Sequence, residues 1–330
     1  VTSALQGHRG AVLKAALKIA VSAALMAFLL RKISPDELGE IARTADRGLL
    51  VAATGVFLVS CVAGWFQWHV LLRASGIALE RAVTFRVYFV GLFFNNFLPA
   101  NIGGDAVKVY DLSRAGTSPY PVIAVTLLDR LLGVFSLCVL AVVADLFLLD
   151  RGPHYLLYLA VFLACMVPAV GFYFLRPLGN HLRRAVMRMR MLAMDRRATS
   201  ILDHLSPFKG RRVLVMRLAL FSMGIQALRV LTHVLVGMAI GIPVDRILLL
   251  QFFVFVPILS LAMIPPITIN GLGIREGLGI LLFAEAGIGR TDAFVVEFMT
   301  YVISVLVSLL GFVFFLARRA GTPRGGSFSP

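Results

Sequence analysis

The chain has 330 residues, 59% of them strongly apolar and 15% charged, with a mean hydropathy of +0.89. A soluble domain carries about 25% charge, so there is too little polar surface to wrap a water-facing core, and the sequence reads as that of a membrane protein. The net charge of +15 points to anionic lipid rather than nucleic acid, because ten Lys and Arg against two acids, Asp195 and Asp203, fall in one hydrophilic interval at 176–213.

That interval is the longest hydrophilic one, and it is shorter than the roughly 50 residues of a small independent domain. The expectation is a single integral membrane domain over 1–330, with no room among these residues for a nucleotide-driven or aminoacyl-transfer domain. Apolar stretches occur at 13–30, 48–72, 87–104, 122–144, 152–175, 214–240, 247–274 and 298–317, and about 20 residues at roughly 1.5 Å each cross a bilayer. The first carries Lys14 and Lys18 on its leading edge and no small-residue cleavage pattern, so it reads as an uncleaved span rather than a signal peptide.

Two of the eight stretches are interrupted. Pro99, Gly103 and Gly104 fall in the third, and Pro257, Pro265, Pro266, Gly271 and Gly273 in the seventh; proline removes a backbone donor and glycine adds backbone freedom, so neither should persist as one helix. The Lys and Arg bias of the loops gives an independent count of crossings. Arg9, Lys14 and Lys18 place the N-terminus inside, 31–47 suits the outside, 73–86 and the basic loop 176–213 the inside, and Asp145, Asp150 and Arg151 an outer link. Arg318, Arg319 and Arg324 place the C-terminus inside. This count leaves 87–104 and the region 241–297 without a net crossing.

The expected fold is therefore an all-α polytopic membrane protein. It has six full spans and two broken or re-entrant regions that enter from opposite faces, the signature of an inverted repeat with halves near 10–145 and 150–317. A less tidy solution for the second region lets 247–264 span inward and 277–296 return as a short or tilted helix containing Glu285. The basic loop puts Leu182, Val186, Met189 and Ala193 near one helical face with Arg184 and Arg188 opposite, a pattern suited to lying on an anionic leaflet.

Functional candidates cluster at the breaks. Asn95, Asn96 and Asn101 place amides in an apolar segment that runs into Gly103-Gly104-Asp105; they either satisfy broken backbone or meet a polar headgroup. Asp105 and Lys108 share a face if this part is helical and so can pair, while an acid at a helix start is favoured by the orphan amides there. Asp129 and Arg130 lie inside the fourth segment, where an ionisable group costs at least ~2.5 kcal/mol unless paired or wetted. Being adjacent they point in different directions, and either can reach Lys108, Asp105 or the second motif. Arg229, mid-span, needs a partner from outside its helix, either an anionic headgroup or Glu297. In the second motif Thr268 and Asn270 supply a hydroxyl and an amide. Gly271 and Gly273 allow a left-handed turn or close approach to a ligand, and Arg275 is a fork-shaped donor suited to phosphate; with Glu276 it also fits the interfacial end of a helix.

No other chemistry is indicated. Cys61, Cys138 and Cys165 sit in apolar runs, the six histidines have no metal spacing, and neither a P-loop nor a nucleophile elbow is visible. No cofactor or metal is expected.

Phe93-Phe94-Asn95-Asn96-Phe97-Leu98-Pro99 running into Ile102-Gly103-Gly104-Asp105, the Leu127-Leu128-Asp129-Arg130-Leu131-Leu132-Gly133 helix start, and Asn270-Gly271-Leu272-Gly273-Ile274-Arg275-Glu276 together resemble the transmembrane region of lysylphosphatidylglycerol synthases and their stand-alone relatives in bacterial and archaeal inner membranes. The resemblance covers roughly 10–320. It implies a flippase-like protein rather than an enzyme, moving an anionic or aminoacylated phospholipid, or a polyprenyl-linked lipid, between leaflets. The synthases' soluble aminoacyltransferase domain has no counterpart in the resemblance. Lys108 stands where the family favours Arg, which keeps the charge and loses the bidentate fork. The competing class is a non-transporting scaffold or accessory subunit for a lipid- or glycan-modifying enzyme docked on 176–213, with a membrane-embedded enzyme third.

Overall fold

The computed structural model describes residues 35–97, 103–148, 155, 204–264, 271 and 273–320. Segment 13–30, all of 152–175 except Tyr155, most of the basic loop, Asn101, Thr268 and Asn270 lie outside them. Among the described residues every regular element is a helix: α1 (Pro35–Thr44), α2 (Arg47–Ala74), α3 (Arg81–Phe97), α4 (Gly103–Arg114), α5 (Pro119–Leu146), α6 (Ser206–Lys209), α7 (Arg212–Ala239), α8 (Arg246–Ala262), α9 (Ile274–Ala284) and α10 (Arg290–Ala320).

Four of these, α2, α5, α7 and α10, are long and apolar enough to cross a membrane. At 28 residues, α2, α5 and α7 are each about 42 Å long at 1.5 Å per residue, more than a hydrocarbon core of ~30 Å requires. The protein is thus all-α and polytopic.

The termini of these helices are fixed by local chemistry. Asp46 caps α2 by accepting from the amides of Gly48 (2.7 Å) and Leu49 (3.1 Å). Asp245 caps α8 through Leu248 N at 2.8 Å, and Pro119 starts α5 where a missing N–H costs nothing. Helices α2 and α7 pack antiparallel at the centre: Asp46 N donates to Ala239 O (2.8 Å) at one end, and Arg211 Nη1 donates to Ala74 O (3.1 Å) at the other. Since α3 follows α2 and α8 follows α7, the two interrupted elements start from opposite ends of the molecule.

The order of lengths repeats. Helices of 28, 17, 12 and 28 residues (α2 to α5) are followed by helices of 28, 17, 11 and 31 (α7 to α10). Packing crosses between the two sets: α3 lies on α10 and α8 on α5. Glycine sets how close these crossings come. A Cβ on Gly311 would stand 2.0 Å from Phe89 O, and one on Gly104 1.9 Å from Gly91 O, so the α10/α3 and α4/α3 backbones touch where only hydrogen fits. Trp68, Leu71, Leu72, Phe89 and Leu112 fill one core, and Phe252, Phe255 and Phe283 a second.

Several boundaries differ from those read in the sequence. Pro257 lies inside α8 rather than breaking it. Its missing donor costs one bond to the fourth residue back, which a helix packed against other protein tolerates. The interruption falls instead after Ala262. The last span begins at Arg290, not 298, because Glu297 is buried inside it rather than marking its edge. Asp145, assigned to an outer link, is buried in the last turn of α5. The interval 277–296 is not one helix: α9 stops at Ala284 and 290–296 open α10.

Gly311→Leu should lower stability by about 1–3 kcal/mol through forced overpacking. Gly55→Ala, where an added Cβ meets nothing within 4 Å, should instead raise it by roughly 0.5–1 kcal/mol; thermal unfolding in detergent measures both.

Candidate functional site

A cavity of about 640 Å3 lies between the two helix sets. Tyr88, Asn95 and Asn96 of α3 face it, with Leu259 and Ser260 at the end of α8 and Met263 just beyond, as do Asp105 and Lys108 in the first two turns of α4 and Arg275 in the first turn of α9. The spans supply the remaining wall: Gln67 from α2, Asp129 and Arg130 from α5, Arg229 and His233 from α7, and Glu297 from α10. Breaking a helix at this depth exposes backbone amides, and the polar side chains at the breaks are placed to meet them.

Asn95 does so directly, its Oδ1 accepting from Gly104 N at 2.8 Å across the first break. At the second, Glu276 reaches back to accept from Gly273 N at 2.6 Å, as an acid at the third helical position does in a capping box. Both glycines there adopt left-handed backbone, Gly271 at φ 78° and Gly273 at φ 85°, a region that residues with a Cβ rarely enter. Asn96 Nδ2 bonds Ser304 O on α10 at 3.4 Å.

The charges are paired around one carboxylate. Asp105, buried in the first turn of α4, accepts from Lys108 Nζ at 3.2 Å on one oxygen and from Arg130 Nε on the other. Lys108 is itself buried, with its ammonium 4.4 Å from the centroid of the Tyr88 ring and 5.4 Å from that of Trp68. Such contacts return part of the hydration a buried cation gives up. Asp129 turns away from Arg130 and accepts from Gln67 Nε2 at 2.8 Å.

Arg229 finds its contact within its own helix, Nη1 lying 3.4 Å from Gln226 Oε1. Glu297, the partner the sequence offered it, stands instead 3.7 Å from His233 Nε2. Arg275 Cζ lies 5.8 Å from the centroid of the Tyr301 ring. The cavity therefore presents four cationic side chains, Lys108, Arg130, Arg229 and Arg275, against the acids Asp105, Asp129 and Glu297, and among the described residues Arg229 and Arg275 lie within 4 Å of no carboxylate.

Of the twelve residues singled out in the sequence, Asn95, Asn96, Asp105, Lys108, Asp129, Arg130, Arg229 and Arg275 line this cavity. Glu276 lies behind Arg275, fully buried. Gln67, Tyr88, Gln226 and His233 were missed. A signal for two of them was present: Ser222, Gln226, Arg229 and His233 recur at four-, three- and four-residue steps along α7, and Glu297, Thr300, Ser304 and Ser308 run similarly along α10, so each set forms one polar stripe. All eight line the cavity.

Fold and site together define a class, the multi-pass membrane proteins with a polar centre built at helix interruptions. Residues 15–311 match the family of the lysylphosphatidylglycerol synthase transmembrane region, and the chain belongs to that family. The match is to the transmembrane part of those synthases, which lacks the aminoacyltransferase part. The chain is also similar to two proteins of Methanothermobacter thermautotrophicus, each described as a UPF0104 membrane protein. One is 24% identical over 302 residues, covering 85% of this chain and 87% of the relative; the other is 21% identical over 280, covering 76% and 78%.

Asp105→Asn should cost about 3 kcal/mol, the lower end of the range for breaking a buried pair, since it strands the Lys108 ammonium while Arg130 retains access to solvent. Adding Lys108→Met should recover most of that loss. Comparing unfolding of the single and double variants checks the coupling.

Proposed function

We propose that this protein moves a lipid with an anionic headgroup between the two leaflets. The supporting observation is the convergence of four cationic side chains and the first turns of two interrupted helices, α4 and α9, on one cavity. Helix N-termini carry partial positive charge and free amides, and fork-shaped guanidinium groups match phosphate oxygens. At about 640 Å3 the space is of small-molecule size, enough for a headgroup whose acyl or prenyl chains stay in the bilayer. Anionic phospholipids, aminoacylated phospholipids and polyprenyl-linked lipids share the phosphate that this site would bind.

The reading takes the chain as one membrane domain over 1–330, with six spans, two re-entrant regions and both termini on the cytoplasmic side. Its inverted-repeat halves are supported by the recurring helix lengths and the reciprocal packing of α3 on α10 and α8 on α5. In such a frame, alternating access is a rocking of one half against the other around a central site. Asp105 holds Lys108 and Arg130 at the wall, leaving Arg229 and Arg275 to meet the phosphate. Family membership supports a lipid-handling role of this general kind.

The test is translocation of fluorescent anionic phospholipid by the purified protein in vesicles. Wild-type protein should move it. Arg229→Ala and Arg275→Ala, folded by the criterion of thermal unfolding, should each slow movement about tenfold or more, the loss of one charge-assisted bond. Unaltered rates in both variants would remove the phosphate site, and a protein that moves no lipid alone would favour the scaffold class.

A further inference from the structure

A carboxylate without hydrogen-bond donors stands in the cavity wall. Glu297 is 0% exposed, and neither of its oxygens meets a donor among the described residues. Its nearest basic neighbour is His233 Nε2, 3.7 Å from Oε2, and both side chains line the cavity. An ionised carboxylate left in such surroundings pays a desolvation cost of several kcal/mol.

The other nitrogen of His233 decides what lies between them. Nδ1 is 3.0 Å from the carbonyl oxygen of Arg229. A carbonyl only accepts, so Nδ1 carries the hydrogen, and the neutral ring then presents a bare lone pair at Nε2. A lone pair facing an ionised carboxylate is repulsive. One proton on either partner turns this 3.7 Å contact from repulsive to attractive, and the pair as a unit is then neutral. Geometry thus makes this a one-proton site.

The surroundings add to that demand. From α9, Gly279 is packed on the Glu297 side chain, an added Cβ lying 2.8 Å from Glu297 Cγ, and Glu276 one turn earlier places a second buried carboxyl within electrostatic range. Arg229 stands one turn before His233 on α7, Arg275 beside Glu276 on α9, and Tyr301 one turn beyond Glu297 on α10. From α3 the polar neighbour is the non-titrating Asn96, directed to Ser304 O. The α2 contact with α10 is apolar, through Ala53 and Phe57 against Ile303 and Met299, although Cys61 of α2 faces the cavity. The α1 contact, Glu37 with Thr291, lies at the N-terminal end of α10, less than two turns before Glu297. A metal ion would need several oxygen ligands, whereas Thr300 is bonded back to Val296 O at 2.8 Å and no cluster of three ligating side chains occurs among the described residues.

We propose that His233 and Glu297 form a proton-carrying site that couples lipid movement to a proton gradient. The proposal rests on the transport reading above. With its proton the pair is neutral, and Arg229 and Arg275 are free to hold a phosphate. When the proton leaves to solvent in the cavity, breaking only an O–H or N–H bond, the pair becomes −1 beside those arginines and competes with the substrate. Headgroup and proton therefore travel together.

The experiment is lipid movement in vesicles of the full chain under an imposed pH difference. One proton per lipid sustains about a tenfold leaflet asymmetry per pH unit, with lipid accumulating on the alkaline side. Glu297→Gln should still move lipid downhill but sustain no asymmetry. Equal asymmetry in wild type and Glu297→Gln, or movement by wild type with none, overturns the coupling. Infrared difference spectroscopy across a pH titration reads the site without transport. A protonated-carboxyl signal should be lost in Glu297→Gln, retained in Glu276→Gln and displaced in His233→Gln. If lipid never moves but these signals behave so, the transport reading fails and the proton site stands; if Glu297→Gln leaves the signal unchanged, the proton site itself is wrong.

Discussion

A helix interrupted at membrane depth has to find partners for the backbone groups it exposes, and a charge at that depth has to find its opposite. In this protein Asn95 meets the first need at the α3/α4 break, and Asp105 meets the second. Sitting in the first turn of α4, it takes the favourable place for an anion at a helix start, and its two oxygens separately hold Lys108 of the same helix and Arg130 of the neighbouring span. The carboxylate thereby fixes where the broken element meets α5. Tyr88 and Trp68 are drawn in as aromatic cover for the lysine, and Asp129, whose neighbour Arg130 is engaged, turns to Gln67. Much of the polar wall on this side of the cavity follows from that one residue.

The second interruption is organised differently. Its acid, Glu276, is used on the backbone, closing the first turn of α9 through Gly273 N, so Arg275 is not held by an ion pair. Arg229 is likewise tied to an amide, that of Gln226, and to no carboxylate among the described residues. The cavity thus has a neutralised side, where cation and anion are matched, and a side where positive charge remains available. This asymmetry, more than the total charge, is what the proposed anion site rests on.

How much of this was legible in the sequence depended on whether the relevant spacing was local. The two breaks were visible because Pro99 with Gly103-Gly104, and Gly271 with Gly273, are local events. The Asp105–Lys108 pair was visible because three residues along a helix return to the same face. The Gln67–Asp129 bond was not, since it joins residues of two spans whose rotation is set by packing alone. Pro257 misled because a proline's effect depends on its neighbours: inside a buried helix one missing bond is tolerated, and apolar packing by Phe252 and Phe255 keeps the helix together. Glu297 misled in the opposite sense. A carboxylate marks the end of a span only if it must reach water, and this one is enclosed, so the helix runs on through it.

The close approach of Gly104 to Gly91 has a further consequence. With the α3 and α4 backbones in contact and α4 tied to α5 by ions, the first interrupted element is a stiff wedge. The second is seated in the same way, Gly271 lying against Met263 at the end of α8, where an added Cβ would stand 2.1 Å from the thioether sulfur. At each break a glycine thus fills the space where a side chain would hold the two pieces apart, so any residue with a Cβ at Gly104 or Gly271 would pry a short helix off the one before it.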